Sequence, residues 1–265
     1  SGNHYGCRIA QAADGHLFVT LGDHFSARDE AQNLGNHIGK LIRIAPDGSA
    51  PADNPFVSRA GARGEIWSYG HRNVQGAALH PQTGELWTHE HGPQGGDEIN
   101  RTRAGLNYGW PEVTYGREYV TGRKIGEGEA REGVEPPVLQ FTPSIAPSGM
   151  AWYDARLIPE WRGAFVIGGL GTKGLVVLAH TWSPDPAKPA QDLSVPERFE
   201  PVLRRYQRVR LILGHCGGRG VGLRQAVQAM NACPNCYAEL SGDSWPMGQL
   251  AWLCRQVDTS RLLFG

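Results

Sequence analysis

Ten consecutive residues concentrate the chemistry of this chain: His89-Glu90-His91-Gly92-Pro93-Gln94-Gly95-Gly96-Asp97-Glu98. Two imidazoles and three carboxylates flank a Gly-Pro-x-Gly-Gly turn. Glycines without Cβ atoms allow several backbone carbonyls to converge on one point. Carbonyls joined by carboxylates suit a hard cation such as calcium, whereas imidazoles alone would suit zinc or copper. The oxygen-rich turn therefore favours calcium, and His89 and His91, two apart on a strand, share a face for packing as readily as for ligation. Upstream, Gly70-His71-Arg72-Asn73-Val74-Gln75-Gly76 groups fixed donors that match planar carboxylates and carbonyls. A cation turn beside such donors points to a small, highly oxygenated, anionic ligand. Cys233-Pro234-Asn235-Cys236 has no second Cys-x-x-Cys to complete a zinc knuckle and is expected to be a reduced structural pair.

Composition bounds the surroundings of these groups. Lysine plus arginine equals aspartate plus glutamate, 26 each over 265 residues, so no net field favours nucleic acid or an anionic membrane. No apolar run is long enough for a membrane helix. Ser1-Gly2-Asn3-His4 lacks the charged-then-apolar layout of a signal peptide. Five cysteines, one early and four in the last fifty residues, do not form a disulfide framework.

Two kinds of element must position the chemistry. In the first part, short apolar runs alternate with turn signals: Leu17 to Leu21 after Asp14-Gly15, Leu41 to Ile44 before Asp47-Gly48, Gly76 to His80 and Glu85 to Trp87 around Thr83-Gly84. Hairpins at this spacing predict a mainly β fold of the sandwich, barrel or propeller kind. After the proline cluster at 184 to 189 the rhythm changes. Helices are predicted over Phe199 to Tyr206, Val221 to Met230 and Met247 to Arg255. They alternate with strands over Val209 to Leu213, Tyr237 to Leu240 and Arg261 to Phe264. That alternation predicts βα units and a parallel sheet.

Five motifs in order give residues 1–170 a family likeness: His4-Tyr5-Gly6-Cys7-Arg8, the Tyr69 to Gly76 segment, the His89 to Glu98 segment, Asn107-Tyr108-Gly109-Trp110-Pro111, and Pro143 to Gly149. This part resembles the soluble quinoprotein sugar dehydrogenases, six-bladed β-propellers that use pyrroloquinoline quinone and calcium to oxidise aldoses. The resemblance implies that His4 is the general base and that Arg72, Asn73 and Gln75 line the quinone. It implies that the carbonyls of Gly92 and Pro93 bind calcium, with Glu98 and Tyr108 at a neighbouring calcium position. Asn3 and Thr142 depart from the aspartate and tryptophan that some members carry there. The blades that precede the base in the family, and the arginines that follow, are expected to lie outside these residues. A second copy or another chain would then complete the ring around a small sugar. A periplasmic or secreted setting is implied as well.

Residues from about 175 to 265 resemble the metal-dependent amidohydrolases, including decarboxylating members, with a (β/α)₈ barrel. His180 would end one barrel strand as a ligand of zinc or manganese, and His215 would end the next and orient water. Both would stand where a barrel places its chemistry. The expected organisation is a partial propeller over 1–170, a junction over 171–196 and a partial barrel-like α/β segment over 197–265, a chimeric chain. Three functions follow: quinone-dependent sugar oxidation, metal-dependent hydrolysis or decarboxylation by the second part, or a non-catalytic β module stabilised by calcium.

Overall fold

The computed structural model describes residues 2–154, 158, 161–171, 174–181, 183, 195–240 and 248–263. The chain divides into two compact units, Ser1–Met150 and Ala151–Gly265.

The first unit is built from two four-stranded antiparallel sheets. Strands β1 (Ile9–Gln11), β2 (Leu17–Thr20), β3 (Lys40–Ile44) and β4 (Ile66–Tyr69) pair in chain order. Strands β5 (Val74–Leu79), β6 (Leu86–Glu90), β7 (Asp97–Thr102) and β8 (Leu139–Phe141) repeat the pattern. The turns form where the sequence predicts them. Gly15 and Gly48 both take φ 87°, which a side chain would resist, and Asp14 and Asp47 each accept the N–H two residues on. Buried Phe18, Leu41 and Leu86 form one apolar cluster drawn from both sheets, with Trp67 edge-on to Phe18 at 5.2 Å. A four-stranded antiparallel meander is the unit that a propeller repeats, here with residues 103–138 inserted between β7 and β8.

The second unit contains the predicted change of rhythm. Strand β9 (Pro147–Tyr153) carries the chain across the division into a six-stranded sheet. There β10 (Ala164–Gly169) and β11 (Gly174–His180) are antiparallel, while β12 (Val209–Gly214), β13 (Cys236–Glu239) and β14 (Leu262–Leu263) continue from β11 in parallel. Helices α1 (Glu200–Arg205), α2 (Val221–Ala232) and α3 (Gln249–Gln256) connect successive parallel strands, as crossover connections require. Leu223, Ala226, Val227 and Met230 put the apolar stripe of α2 into the cluster that buries Leu211 and Leu213. The predicted helix starting at Met247 begins at Gln249, and both Met247 and Phe264 lie outside the described residues. So does most of the expected 171–196 junction, which falls within the second unit. Strand β11, expected to open a separate segment, pairs on both edges and joins the β9–β10 side of the sheet to the parallel side.

All five cysteines are free thiols. Burial raises the thiol pKa of Cys216 to about 12 and pushes Cys236 further up, so both remain protonated.

Candidate functional site

The site grows from four segments of the first unit: the start of the chain, the turn after β2, the turn before β5 and the turn after β6. His4 and Asp23 meet first. The His4 Nδ1 lies 2.6 Å from Asp23 Oδ1. An ionised carboxylate only accepts, so Nδ1 carries the proton and Nε2 is the basic nitrogen. Asp23 is fully buried, and its Oδ1 also accepts the Phe25 N–H at 2.9 Å. The Trp110 indole N–H donates to Oδ2 at 2.7 Å. Phe25 packs edge-on against the His4 ring, centroids 5.1 Å apart. Gly22 allows this close approach, because a Cβ there would lie 1.9 Å from the His4 carbonyl oxygen. His4, His24 and Phe25 all have positive φ, at 63°, 56° and 60°. Three side-chain-bearing residues in that region on one loop pair mark local strain of the sort found at functional sites.

The same loops touch the cofactor-type residues predicted from the sequence. Asp23 N–H donates to the Arg72 carbonyl at 2.8 Å, and Gly6 N–H donates to Asn73 Oδ1 at 3.1 Å. Gln75 Nε2 donates to that same oxygen at 3.0 Å. His4 is thus brought against Arg72, Asn73 and Gln75 through its neighbours. Arg72 is no surface ion pair. It is 4% exposed, its Nη1 donates to the carbonyls of His91 and Gly92, and its guanidinium lies over the Trp110 ring at 5.2 Å. Its Nε is buried without a hydrogen-bond partner.

Around the predicted cation turn, the three carboxylates have three different jobs. Asp97 is fully buried and staples the loop. It accepts the Gly92 N–H at 2.9 Å, the Ser144 hydroxyl at 2.6 Å and the Ala146 N–H at 2.8 Å. Glu90 accepts from buried His71 at 3.0 Å, from the Arg72 N–H at 2.5 Å and from Asn100 at 3.2 Å. Glu98 keeps partial solvent access as a residue, yet its carboxyl is crowded by protein. That desolvation, and the nearby negative charge of Glu90, push its pKa well above the usual carboxylate range, partly opposed by a hydrogen bond from Asn100. A carboxyl in such surroundings gains from an adjacent cation. Tyr108 commits its hydroxyl to the Arg101 carbonyl and the Arg103 N–H, and burial pushes its pKa up. Its backbone carbonyl is the ligand it could offer. Arg72, Glu90, Gly92, Glu98, Tyr108 and Trp110 are among the residues lining one pocket. Its enclosed part is about 10 Å³, the bottom of the range that admits one water-sized sphere. A larger ligand would lie across the open mouth.

The two histidines of the turn each face a carbonyl: His89 Nε2 reaches Ser148 at 2.9 Å, and His91 Nε2 reaches Pro147 at 2.7 Å. Among the described residues no group of three or more His, Cys, Asp or Glu could share a metal ion. A cation at the turn would therefore depend on the Gly92 and Pro93 carbonyls with Glu98. In the second unit, His180 ends β11 in register with Gly214, and nothing of its side chain is described. His215 follows β12, and its N–H donates to Glu239 Oε2 at 3.2 Å.

Asp23, Trp110, His71 and Glu90 went unassigned in the sequence. Asp23 and Trp110 are separated by 87 positions, so no local pattern links them. His71 and Glu90, however, lie inside the two motifs already singled out.

Known proteins share this arrangement of sequence. A model of the glucose/sorbosone dehydrogenase family matches residues 1–212, running past the expected junction into β12. An aldose sugar dehydrogenase of Escherichia coli K12 is 46% identical over 181 residues, covering 68% of this chain and 48% of that protein. The crystal structure of the soluble aldose sugar dehydrogenase from Escherichia coli, in the apo form, superposes with a TM-score of 0.64 at 46% identity, over 67% of this chain and 51% of that one. The PQQ-bound aldose sugar dehydrogenase of Streptomyces coelicolor follows at TM-score 0.51 and 33% identity, over 65% and 44%. The chain spans about half the length of these relatives. With its motifs in family order and the family match covering most of its length, this chain belongs to the glucose/sorbosone dehydrogenase family.

Proposed function

We propose that the first unit carries the base and part of the cofactor floor of a calcium- and PQQ-dependent oxidoreductase acting on an aldose or related alcohol. One observation carries this: half-buried His4 is held by fully buried Asp23, and the Asp23 N–H and the neighbouring Gly6 N–H bond to the very Arg72–Asn73 turn that the family resemblance assigns to the quinone. Arg72 lines the pocket and keeps a buried Nε without a partner, a donor to spare that suits an anionic, carboxylate-bearing ligand. The crowded Glu98 carboxyl beside the Gly92–Pro93 turn fits calcium, with Tyr108 alongside. When bound, pyrroloquinoline quinone supplies the two-electron acceptor for the substrate carbon, and the protein supplies position and charge. His4 Nε2 takes the substrate hydroxyl proton. Asp23 holds the ring in the right tautomer and offsets the positive charge that the imidazole acquires. Arg72 fixes the turn by tying the His91 and Gly92 carbonyls.

The two meanders are, in this proposal, blades of a six-bladed propeller, completed by residues outside 1–265, a second copy or another chain. A periplasmic or secreted setting goes with it. The test is a dye-reduction assay with an aldose, added quinone and calcium. His4→Ala should lower the rate about a hundredfold or more, the scale of a lost general base. An equal rate in His4→Ala would remove His4 from the chemistry. Calcium-dependent melting with no dye reduction at all would leave the calcium-stabilised β module as the better account.

A second reading, metal-dependent hydrolysis, has only the parallel order of β11 to β14 with helices between in its favour, and the family match runs through His180 into β12, leaving His215 beyond it. Zinc or manganese retained through dialysis, and lost in His215→Ala, would favour it.

A further inference from the structure

We propose that Trp110 is a positioning residue that sets the orientation of the base and ties it to the cofactor-side arginine, an inference that rests on His4 being that base. Asp23 has two oxygens with different duties. Oδ1 serves His4 and the Phe25 N–H, and Oδ2 accepts the Trp110 indole at 2.7 Å. The aspartate χ2 torsion is broad, so a carboxylate pinned at one oxygen can swing. The second bond fixes its plane, and with it the plane of the imidazole it holds. The bond is charge-assisted and buried: Asp23 is fully buried and Trp110 is 6% exposed.

Trp110 is itself anchored at its backbone. Its N–H donates to the Gly70 carbonyl at 2.9 Å, and its carbonyl accepts from Gln32 Nε2 at 2.7 Å. Arg72 lies over the face of the same ring. Only an indole offers both a large π face for a guanidinium and an edge N–H for a carboxylate. One side chain therefore sets the spacing between the residue that would move the proton and the residue that would face the quinone.

The experiment uses the whole chain, labelled with ¹⁵N and free of cofactor. Two-bond ¹H–¹⁵N spectra of the imidazoles report the His4 tautomer, with His4→Gln identifying the signal. The wild type should show a fixed Nδ1–H tautomer. Trp110→Phe keeps a ring under Arg72 but removes the donor, and should give an averaged tautomer. Asp23→Ala should do the same, and adding Trp110→Phe to it should change nothing more. With an aldose, quinone and calcium, Trp110→Phe should lower kcat by up to about a hundredfold with KM unchanged, the cost of a misplaced catalytic group. An unchanged His4 tautomer in Trp110→Phe overturns the proposal, whatever happens to the rate. Should Trp110→Phe fail to fold, the Trp110 indole proton is read in the wild type and in Asp23→Asn. It should move upfield and exchange faster in Asp23→Asn, and an identical signal overturns the proposal. A rate unchanged in His4→Gln would instead remove His4 as the base, a result separate from the tautomer.

Discussion

Replacing Asp97 by alanine should be among the most damaging single changes in the first unit, although the residue is not assigned to bind anything. Its carboxylate is fully buried and gathers three donors: the Gly92 N–H, the Ala146 N–H and the Ser144 hydroxyl. The three donors do not suffer equally. Ser144 is exposed, so its hydroxyl returns to water at little cost, and Ala146 is half-buried. Gly92 is buried, and its N–H would lose its acceptor outright. At about 1–3 kcal/mol for an orphaned buried donor, the Gly92 amide and a partly hydrated Ala146 amide together give about 2–4 kcal/mol. In a unit of this size, about 2–4 °C per kcal/mol makes that a drop of roughly 5–15 °C in Tm. Asp97→Asn keeps one acceptor oxygen and should lose less. Guanidinium denaturation and calorimetry of the full chain would measure both variants, with attention to the transition of the first unit. A loss below about 0.5 kcal/mol in Asp97→Ala, the range of ordinary surface changes, would refute the staple and the burial argument behind it.

Three further outcomes are expected. Burial holds the His89 imidazole down at about 4, against 6.5 unburied, so on acidification the unfolded chain takes up the proton first. Its contribution is intact above about 6.5 and lost as the pH falls from there towards about 4, and denaturation midpoints across that window should flatten in His89→Gln. Gly22→Ala would drive a Cβ into the His4 carbonyl and should displace the base. A rate within about twofold of wild type in the dye assay, well inside the hundredfold span of general-base loss, would contradict that contact. Calcium should raise the melting temperature and a chelator should lower it, with a gain of about 2.7 kcal/mol at a hundredfold excess over Kd. Superimposable melts, with no calcium in the purified protein, would rule out the turn as a cation site.

Much of the fold is legible because it is local. Asp14-Gly15 and Asp47-Gly48 turn the chain whatever surrounds them, and the α2 stripe of Leu223, Ala226 and Met230 reads directly as a helix face. The division between units was less visible. The sequence changes rhythm after the proline cluster at 184 to 189, yet β10 and β11, a hairpin in rhythm, belong to the later sheet. Residue types alone marked the Gly92 turn and Arg72. They did not reveal that Arg72 spends two of its hydrogen bonds on the turn's own carbonyls, or that Asp97 and Glu98, adjacent in sequence, serve opposite ends. A strand alternates its side chains, so Asp97 points to the staple and Glu98 to the pocket. The Asp23–Trp110 bond depends on long-range closure and has no signature in either segment.

The central claim is that Arg72 and the Gly92–Pro93 turn form a calcium-dependent quinone site. An equilibrium titration of the whole chain with pyrroloquinoline quinone, followed by absorbance with calcium and then with chelator, tests it most directly. Saturable one-to-one binding should require calcium and weaken about tenfold or more in Arg72→Ala, the loss of about 1.4 kcal/mol or more expected for a buried guanidinium facing a carboxylate. Binding that is absent, indifferent to calcium, or unchanged in Arg72→Ala would contradict the account.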